Sequence, residues 1–394
     1  MSENEISKSM KVKLFHVITH LELGGAQKNT LMTLEQLSRD RYELGLVSGK
    51  EGLLVDWANR IPAVTRVWVP LVREVRPVQD LVALVKMWWL FRRERPVLVH
   101  THCPKAGILG RWAARLAGVP AIVHTFHGFG FNDFQRPLVR NFYIWIERLT
   151  AKITTQQVFV SYENAHRAER LGLARRGEWI VSRSGIDLDE FLQPAPRGAK
   201  RAEWGVPDGK LVVGMIASFK PEKAPTDFVD LAAGVLRKND RVHFVMAGDG
   251  ELRESIEARI RHHGIERSFT LLGWQPVEEM PSIYRSLDVL VLTSLWEGLP
   301  RVFPEAMASE TPIVGTDVGG AREAVIDGET GFLFAPHDVE GMTAAVLKLL
   351  ADPELRKTFA ANGRRRVAEF DARAGFACLE SQYRKCLESG TVPR

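Results

Sequence analysis

The sequence has few cysteines and lacks a long apolar run. Its three cysteines, Cys103, Cys378 and Cys386, fit neither a disulfide framework nor a metal-ligand motif. The longest apolar candidate, DLVALVKMWWLF, is interrupted by Lys86 and is shorter than the roughly 20 residues that a membrane-spanning helix requires. The N-terminal MSENEISKSMKVK lacks the apolar core of a secretory signal. We therefore expect reduced thiols, no spanning helix and a cytoplasmic protein.

The chain has no extreme net charge, but its charge is unevenly shared. The formal net charge of +5 combines +11 over residues 1–185 with −6 over the remainder. A basic first half suits an anionic membrane surface, a phosphorylated acceptor or nucleic acid, and ordinary surface solvation explains it equally well. The sequence contains no recognised nucleic-acid-binding module, so we expect no nucleic-acid partner. The composition leaves the oligomeric state unknown.

Short apolar runs alternate with helical patterns along the whole chain, which is typical of a parallel sheet. With 394 residues the chain suits two domains rather than one core. The predicted strands are KLFHVIT, ELGLVS, VLVHTH, AIVHTFH and ITTQQVFVS, then KLVVGMIAS, VHFVMAGDG, FTLLGW, VLVLTS, PIVGTD and GFLFA. PAPRGAKRAEWGVPDG, over residues 194–209, is the expected linker. The fold class is α/β, with two doubly wound domains.

Paired glycines follow the first predicted strand. Gly24 and Gly25 lie in THLELGGAQKN, where the first helix is expected to begin. Backbone N–H groups at such a position can approach a phosphate closely, and the helix dipole favours the anion. A tight turn without any ligand explains the same glycines, and the spacing is not that of the dinucleotide-binding GxGxxG motif.

Histidines follow two further predicted strands. HTFHGFG contains His124 and His127, and HTHCPK contains His100 and His102. A histidine at a strand end can hydrogen-bond a substrate hydroxyl or polarise a reacting group, whereas bonding to neighbouring backbone is its ordinary structural role. No carboxylate at ligand spacing accompanies His100 and His102, so we expect no metal site.

Two lysines precede a helix in the second half. ASFKPEKAPTDF follows the first strand there and carries Lys220 and Lys223. Two cations in a strand-to-helix loop suit a diphosphate, whose charge must be neutralised most strongly as it departs. A solvated charged loop is the alternative.

Two glutamates lie eight residues apart in SLWEGLPRVFPEAM. Pro304 sets φ for the first helical turn, so we expect Glu305 to begin a helix and Glu297 to remain on the loop. A carboxylate can accept hydrogen bonds from a vicinal diol through both oxygens. One glutamate can thus hold a ribose and the other a hexose, although an acid in a first helical turn is also a common capping residue. The backbone expected to face phosphate or sugar oxygens comprises Gly298, Leu299, Pro300, Arg301 and Val302.

The order of these motifs resembles the retaining GT-B glycosyltransferases of family 4, the glycosyl transferases group 1. GGAQ, HTFHG, SRSGID, SFKPEK, AGDGE, LGW, the E-x7-E pair and DVGGAREAV follow one another over about residues 12 to 385. The resemblance implies two Rossmann-like domains facing across a cleft. It implies an acceptor-binding domain over residues 1–190, a nucleotide-sugar-binding domain over 191–370, and a C-terminal helix over 371–394 that crosses back to the first domain.

The resemblance also assigns an activity and catalytic residues. It implies transfer of a hexose-type sugar from a nucleotide sugar, UDP by default, with retention of configuration and without a metal or other cofactor. Glu297 would contact the transferred sugar and Lys223 the diphosphate, while His127 would lie beside the donor sugar and the acceptor. These three are the expected catalytic residues.

Further residues are expected to bind the donor. Glu305 would hold the ribose diol, the backbone around Leu272 and Gly273 would contact the base, and Gly24 and Gly25 would approach the diphosphate from the other domain.

The sequence departs from the family pattern G-R-L-x-x-x-K-G. It has Ala217, Ser218 and Phe219 in the first three places and Ala224 in the last. Ser218 therefore replaces the usual phosphate-binding arginine, and Lys220 or Arg301 is the expected substitute.

The acceptor is predicted only by class. VKMWWLFRRERP combines Trp88, Trp89 and Phe91 with arginines, and RNFYIWIERLTAK has a similar mixture. Either segment suits contact with the inner face of a membrane that carries a lipid-linked glycan of cell-surface polysaccharide synthesis, or burial of an apolar face against its own sheet. A GT-B-type nucleotide-sugar epimerase and a non-catalytic sugar-nucleotide-binding scaffold remain alternatives.

Overall fold

The computed structural model describes residues 11–193 and 196–388, and these form two compact units. One unit comprises the described residues up to Ser184 together with those from Ala374 on; the other runs from Gly185 to Arg373. The sequence-based division placed its boundaries at residues 190 and 370. Three expectations fall partly outside the described residues: the N-terminal segment, the first two residues of the linker, and the end of the final helix. In the described ranges, no helix is long and apolar enough to cross a membrane.

The first unit is built on a seven-stranded sheet in the order β3-β2-β1-β4-β5-β6-β7, with every neighbouring pair parallel. Its strands are β1 (Val12–Val17), β2 (Tyr42–Ser48), β3 (Val64–Trp68), β4 (Leu98–His102), β5 (Ala121–Phe126), β6 (Gln156–Phe159) and β7 (Trp179–Val181). Its helices are α1 (Gly25–Gln36), α2 (Val55–Arg60), α3 (Pro77–Glu94), α4 (Pro104–Ala117), α5 (Pro137–Ala151) and α6 (Tyr162–Arg170), and α15 (Ala372–Glu388) ends in it.

The second unit has a six-stranded parallel sheet in the order β10-β9-β8-β11-β12-β13. Its strands are β8 (Leu211–Ile216), β9 (Val242–Ala247), β10 (Phe269–Gly273), β11 (Val289–Leu292), β12 (Ile313–Thr316) and β13 (Gly331–Phe334). Its helices are α7 (Leu188–Leu192), α8 (Pro225–Leu236), α9 (Arg253–His263), α10 (Met280–Arg285), α11 (Val302–Ala308), α12 (Ala321–Ala324), α13 (Val339–Ala351) and α14 (Pro353–Arg366). Two doubly wound parallel-sheet units confirm the predicted fold class.

The chain returns to the first unit through α15. Leu379, Tyr383 and Cys386 are buried in one apolar cluster with Leu14 of β1 and Leu44 of β2. The Tyr383 hydroxyl lies 2.5 Å from Nδ1 of His100, so the helix reaches the interior of the sheet at β4. The predicted return of the final helix to the first domain is confirmed.

Most of the expected linker belongs to the folded second unit. Trp204 and Val206 are buried, and the Arg201 guanidinium lies 2.8 Å from an Asp288 carboxylate oxygen. The apolar residues of this segment therefore pack rather than span a gap, which its prolines and glycines had not indicated.

A buried ion pair joins α4 to α5. The Arg111 side chain is fully buried, and its Nη2 donates to Oε2 of Glu147 at 2.7 Å, while the Glu147 side chain is 5% exposed. Nε of Arg111 also donates to the Gly107 carbonyl at 2.8 Å. Because both side chains are shielded from water, each charge depends on the other for compensation.

We expect Glu147→Gln to lower the melting temperature by about 10 °C, equivalent to about 3 kcal/mol, because it leaves a buried guanidinium without its counterion. The double change Arg111→Met with Glu147→Leu removes both charges and should lose less than the single change. Differential scanning fluorimetry measures both.

Glu178→Gln is the matched control, since the Glu178 side chain pairs with Arg175 on the surface and is 63% exposed. Its expected effect is within about 0.5 kcal/mol. Equal melting temperatures for Glu147→Gln and Glu178→Gln would contradict the account of the buried pair.

Candidate functional site

Each sheet has one point at which the strand order reverses direction. In the first unit this point lies between β1 and β4, and in the second unit between β8 and β11. Open parallel sheets bind ligands outside the carboxyl ends of the strands at such a point, because the loops on its two sides diverge there. The predicted residues can be compared with these two places.

The loop after β8 is fixed by the loop after β9. Phe219 is fully buried, its N–H donates to the Asp249 carbonyl at 2.8 Å, and its carbonyl accepts from the Leu252 N–H at 3.0 Å. Gly248, at φ +135°, approaches Ala217 so closely that a Cβ would lie 1.9 Å from the Ala217 oxygen. The AGDGE motif therefore shapes the loop that carries Ser218, Lys220 and Lys223.

Lys223 and Glu297 form an ion pair across the β8–β11 switch point. Lys223 Nζ lies 2.5 Å from Oε1 of Glu297, and the Ser294 hydroxyl donates to the same oxygen at 2.7 Å. The two side chains are only 23% and 11% exposed. We call Lys223, Ser294 and Glu297 the switch-point triad.

The backbone keeps the two loops of the triad together. The Leu295 N–H donates to the Glu222 carbonyl at 2.8 Å, and the Thr293 hydroxyl lies 2.9 Å from the carbonyls of Lys223 and Ala224. Ala224 itself has φ +41°, a left-handed conformation that glycine adopts more readily, which accounts for the glycine of the family pattern at this place.

The DVGG segment supports Glu297 from the other side. Gly319, at φ +53°, lies so close to Glu297 that a Cβ would be 2.1 Å from the Glu297 carbonyl oxygen. The Gly320 N–H donates to the Gly298 carbonyl at 2.8 Å. The glycines of this motif thus permit a close approach that positions the Glu297 loop.

Glu305 is buried within α11 and does not begin it. The helix starts at Val302, three residues earlier than the sequence indicated, because Arg301 already has helical φ and ψ. The Tyr284 hydroxyl donates to Oε2 of Glu305 at 2.6 Å. Burial, with the negative charge of Glu305, raises the pKa of Tyr284 well above its usual value, so this hydroxyl remains a donor at neutral pH.

Arg301 and Lys220, the expected substitutes for the missing arginine, have different surroundings. Nε of Arg301 lies 3.8 Å from Oε1 of Glu305, and burial lowers the pKa of Arg301, an effect that Glu305 and Tyr284 oppose. Lys220 is half-buried in the loop after β8, near Ser218, which is also half-buried. The Arg301 side chain thus lies beside Glu305, the residue predicted to bind the ribose. Lys220 lies in the same loop as Lys223.

The expected base-binding backbone ends β10. Gly273 has φ +68°, and its carbonyl accepts from the Gly248 N–H at 2.8 Å, which ties this strand end to the loop after β9. The Leu272 carbonyl accepts from the Gln275 side chain at 2.7 Å. Contact between this backbone and a base remains a prediction.

In the first unit the paired glycines mark the start of α1. The helix begins at Gly25, and Gly24 precedes it without a side chain that could cap it. A Cβ on Gly24 would lie 2.5 Å from Oε1 of Gln27, so a larger residue would displace that side chain. Approach of a phosphate to this helix terminus remains a prediction.

Buried histidines meet at the other switch point. His16 of β1 is in register with His100 of β4, and candidate ligand atoms of His16, His100 and His102 all lie within 4.8 Å of one another. Nδ1 of His102 lies 3.1 Å from Nε2 of the half-buried His127. The sequence had already singled out His100, His102 and His127. It did not single out His16, because this residue lies inside an apolar strand pattern.

His124 makes its hydrogen bond outside this cluster. It is buried, its Nδ1 lies 2.9 Å from the Thr101 hydroxyl, and a Cβ on Gly107 would come within 2.4 Å of its ring. The alternative of an ordinary structural histidine therefore holds for His124. Among the residues predicted to be catalytic or to bind the donor, His127, Gly24 and Gly25 belong to the first unit, and the rest belong to the second.

Two family models match the chain. The model of glycosyl transferases group 1 matches residues 196–366, and that of a glycosyl transferase 4-like domain matches residues 24–182. Each model thus falls on one of the two structural units.

Named relatives match almost the full length. The chain is 32% identical to a UDP-Gal:alpha-D-GlcNAc-diphosphoundecaprenol alpha-1,3-galactosyltransferase of Escherichia coli, over 89% of this chain and 90% of that protein. It is 26% identical to the capsular polysaccharide biosynthesis glycosyltransferase CapM of Staphylococcus aureus, over 95% of this chain and 98% of the relative.

Solved structures share the fold. Anabaena Alr3699/HepE, crystallised with UDP and glucose, superposes with a TM-score of 0.82 at 19% identity, covering 95% of this chain and 100% of that one. Sucrose-phosphate synthase from Thermosynechococcus elongatus gives a TM-score of 0.83 at 20% identity, covering 96% and 100%. The sequence matches and the two parallel-sheet units together establish that the chain belongs to the glycosyl transferases group 1 family, as a GT-B glycosyltransferase of the family 4 type.

Proposed function

We propose that this glycosyltransferase moves a hexose from a UDP-hexose to a hydroxyl of a lipid-linked glycan, with retention of configuration. The observation that carries the proposal is the switch-point triad, which puts an ammonium and a carboxylate side by side where a parallel sheet binds ligands. The Escherichia coli relative is named for a UDP-Gal donor and a diphosphoundecaprenol-linked acceptor, and this supports both substrate classes.

Lys223 stabilises the leaving group in this proposal. As the bond between the anomeric carbon and the β-phosphate oxygen breaks, negative charge grows on the phosphate and the sugar becomes oxocarbenium-like. A cation fixed beforehand beside the phosphate lowers that barrier, because it needs no reorganisation during the reaction. Lys223 is fixed in this way by its 2.5 Å contact with Glu297. No metal is needed for this step.

Glu297 and Glu305 recognise the two sugars of the donor. Oε1 of Glu297 is oriented by Lys223 and Ser294, so its carboxylate can accept hydrogen bonds from the hexose hydroxyls. Glu305 is held by Tyr284 in the first turn of α11, and its carboxylate suits the ribose diol. Both carboxylates act by accepting hydrogen bonds.

Retention follows from attack on the face that the diphosphate leaves. The acceptor oxygen forms the new bond to the anomeric carbon as the old carbon–oxygen bond breaks. Its proton passes to the departing phosphate oxygen, so charge and atoms balance without an enzymatic base. The family resemblance assigns His127 a place beside these groups.

The first unit has a surface that suits the lipid of the acceptor. On α3 the exposed apolar side chains are spaced along one stripe: Val78, Leu81, Val82, Val85, Trp88 and Trp89. On α5 they are Leu138, Val139, Phe142 and Trp145. Both helices contact α4, so they lie on the same side of the sheet.

Basic residues accompany this apolar surface. Lys86, Arg92 and Arg93 are exposed on α3, and the Arg93 guanidinium lies 4.7 Å from the Trp89 ring centre. Apolar side chains with flanking cations bind an anionic bilayer surface through both burial and charge. Phe91, grouped with the two tryptophans in the sequence, is buried in the core, because its helical position faces the sheet.

Lys223→Met should reduce kcat by about 10²- to 10³-fold, because the leaving phosphate loses its prepositioned cation. Transfer from UDP-hexose to a short-chain lipid-linked acceptor, followed by chromatography of the product, measures it. NMR of the wild-type product should show the anomeric configuration of the donor.

The control for this change is Lys238→Met, which removes an exposed lysine just after α8 and should leave kcat unchanged. Turnover by Lys223→Met at the wild-type rate, or a product with inverted configuration, would contradict the proposed function.

Replacing Trp88 and Trp89 together by serine should weaken binding to phosphatidylglycerol vesicles by about tenfold or more, because two large apolar side chains can no longer enter the interface. Vesicle flotation measures the bound fraction, and circular dichroism checks that the variant is folded.

Leu53→Ser changes an exposed apolar residue outside α3 and α5 and should float like the wild type. The membrane assignment fails if the double variant floats as well as the wild type, or if the wild type does not bind these vesicles at all.

A further inference from the structure

Three histidines form a continuous hydrogen-bonded line at the switch point of the first unit. Nδ1 of His16 lies 2.9 Å from Nε2 of His102, and Nδ1 of His102 lies 3.1 Å from Nε2 of His127. The planes of the His16 and His102 rings are within 8° of parallel, and the ring centres lie 5.2 Å apart. We call these three residues the histidine line.

His100, the other histidine of the cluster, does not hydrogen-bond to the histidine line. His100 has both ring nitrogens engaged elsewhere, with the Tyr383 hydroxyl at 2.5 Å and the Thr125 hydroxyl at 2.7 Å. Its ring lies 4.1 Å from that of His102 and so packs against the line without interrupting it.

Each contact in the line requires one proton shared between two nitrogens. Burial lowers the pKa of His16 to about 3, and burial, reinforced by the neighbouring histidines, lowers the pKa of His102 well below its usual value. Both rings are therefore neutral at pH 7 and carry one proton each. Each ring must then donate its proton to the next ring in the same direction along the line.

The buried end of the line selects that direction. Nε2 of His16 is buried and has no hydrogen-bond partner among residues 11–193 and 196–388. An unsatisfied buried N–H costs more than an unsatisfied acceptor, and orphaned donors are accordingly the rarer of the two. His16 therefore carries its proton on Nδ1 and donates to His102, which in turn donates from Nδ1.

We propose that His16 and His102 are positioning residues that fix His127 as the tautomer with its proton on Nδ1 and its Nε2 occupied as an acceptor. This rests on the proposed function, in which His127 lies beside the sugar and the acceptor. His127 then takes part as an N–H donor toward a substrate oxygen rather than as a base. That role agrees with transfer of the acceptor proton to the departing phosphate.

Paired substitutions at His102 test the proposal. The side-chain nitrogen of asparagine occupies the place of Nδ1, so His102→Asn keeps a donor toward His127. His102→Asp puts an acceptor at the same place and should move the His127 proton to Nε2. We expect His102→Asn to retain kcat within about threefold and His102→Asp to lose about tenfold or more, since a histidine in the wrong tautomer is a poor catalyst.

The tautomers are read directly on the substrate-free full-length enzyme labelled with ¹⁵N-histidine, by long-range proton–nitrogen correlation NMR. The wild type and His102→Asn should show His127 protonated on Nδ1, and His102→Asp should show it on Nε2. His102→Leu, which offers neither donor nor acceptor, serves as the reference, and melting temperatures identify any variant that does not fold.

The inference is overturned if wild-type His127 carries its proton on Nε2, or if the tautomer changes while kcat does not. It is also overturned if the wild type binds Co²⁺ with an absorption band that His16→Leu removes, because a metal on His16 and His102 would replace their mutual hydrogen bond. Absence of sugar transfer by the wild type would count against the proposed function, while the NMR result would still decide the tautomer.

Discussion

The ion pair between Lys223 and Glu297 is the interaction on which the site depends. Its partners come from loops after two different strands, β8 and β11, and backbone hydrogen bonds already join these loops to each other. Opposite charges that are partly shielded from water attract more strongly than at an exposed surface, so the pair holds both loops in one arrangement. Gly319 and Gly248 complete this arrangement, because each permits a backbone contact that a side chain would prevent.

The two units use the same sheet topology for different chemistry. At the switch point of the second unit the chain places opposite charges, for which we propose binding of a diphosphate and sugar hydroxyls. At the switch point of the first unit it places neutral, buried histidines that exchange hydrogen bonds with one another. Burial accounts for the difference, since it removes the proton that would charge an imidazole but leaves its donor and acceptor atoms in place.

The sequence predicted the fold because buried parallel strands and glycine-rich loops leave strong local patterns, and it singled out Lys223 and Glu297, which the fold brings into contact. It did not predict β3 and β7, which are short edge strands that are mostly half-buried, because their apolar runs are too short to stand out. It placed the start of α11 too late, because Pro304 can occupy several positions of a first turn. His16 and the Tyr284–Glu305 hydrogen bond depend on contacts between distant segments, which no local pattern specifies.

A crystal structure of the enzyme with an unreactive UDP-hexose analogue tests the central claim most directly. The account predicts the β-phosphate within hydrogen-bonding distance of Lys223, the hexose hydroxyls on Glu297 and the ribose diol on Glu305. A nucleotide bound away from the β8–β11 switch point, with the Lys223–Glu297 pair untouched, would contradict it.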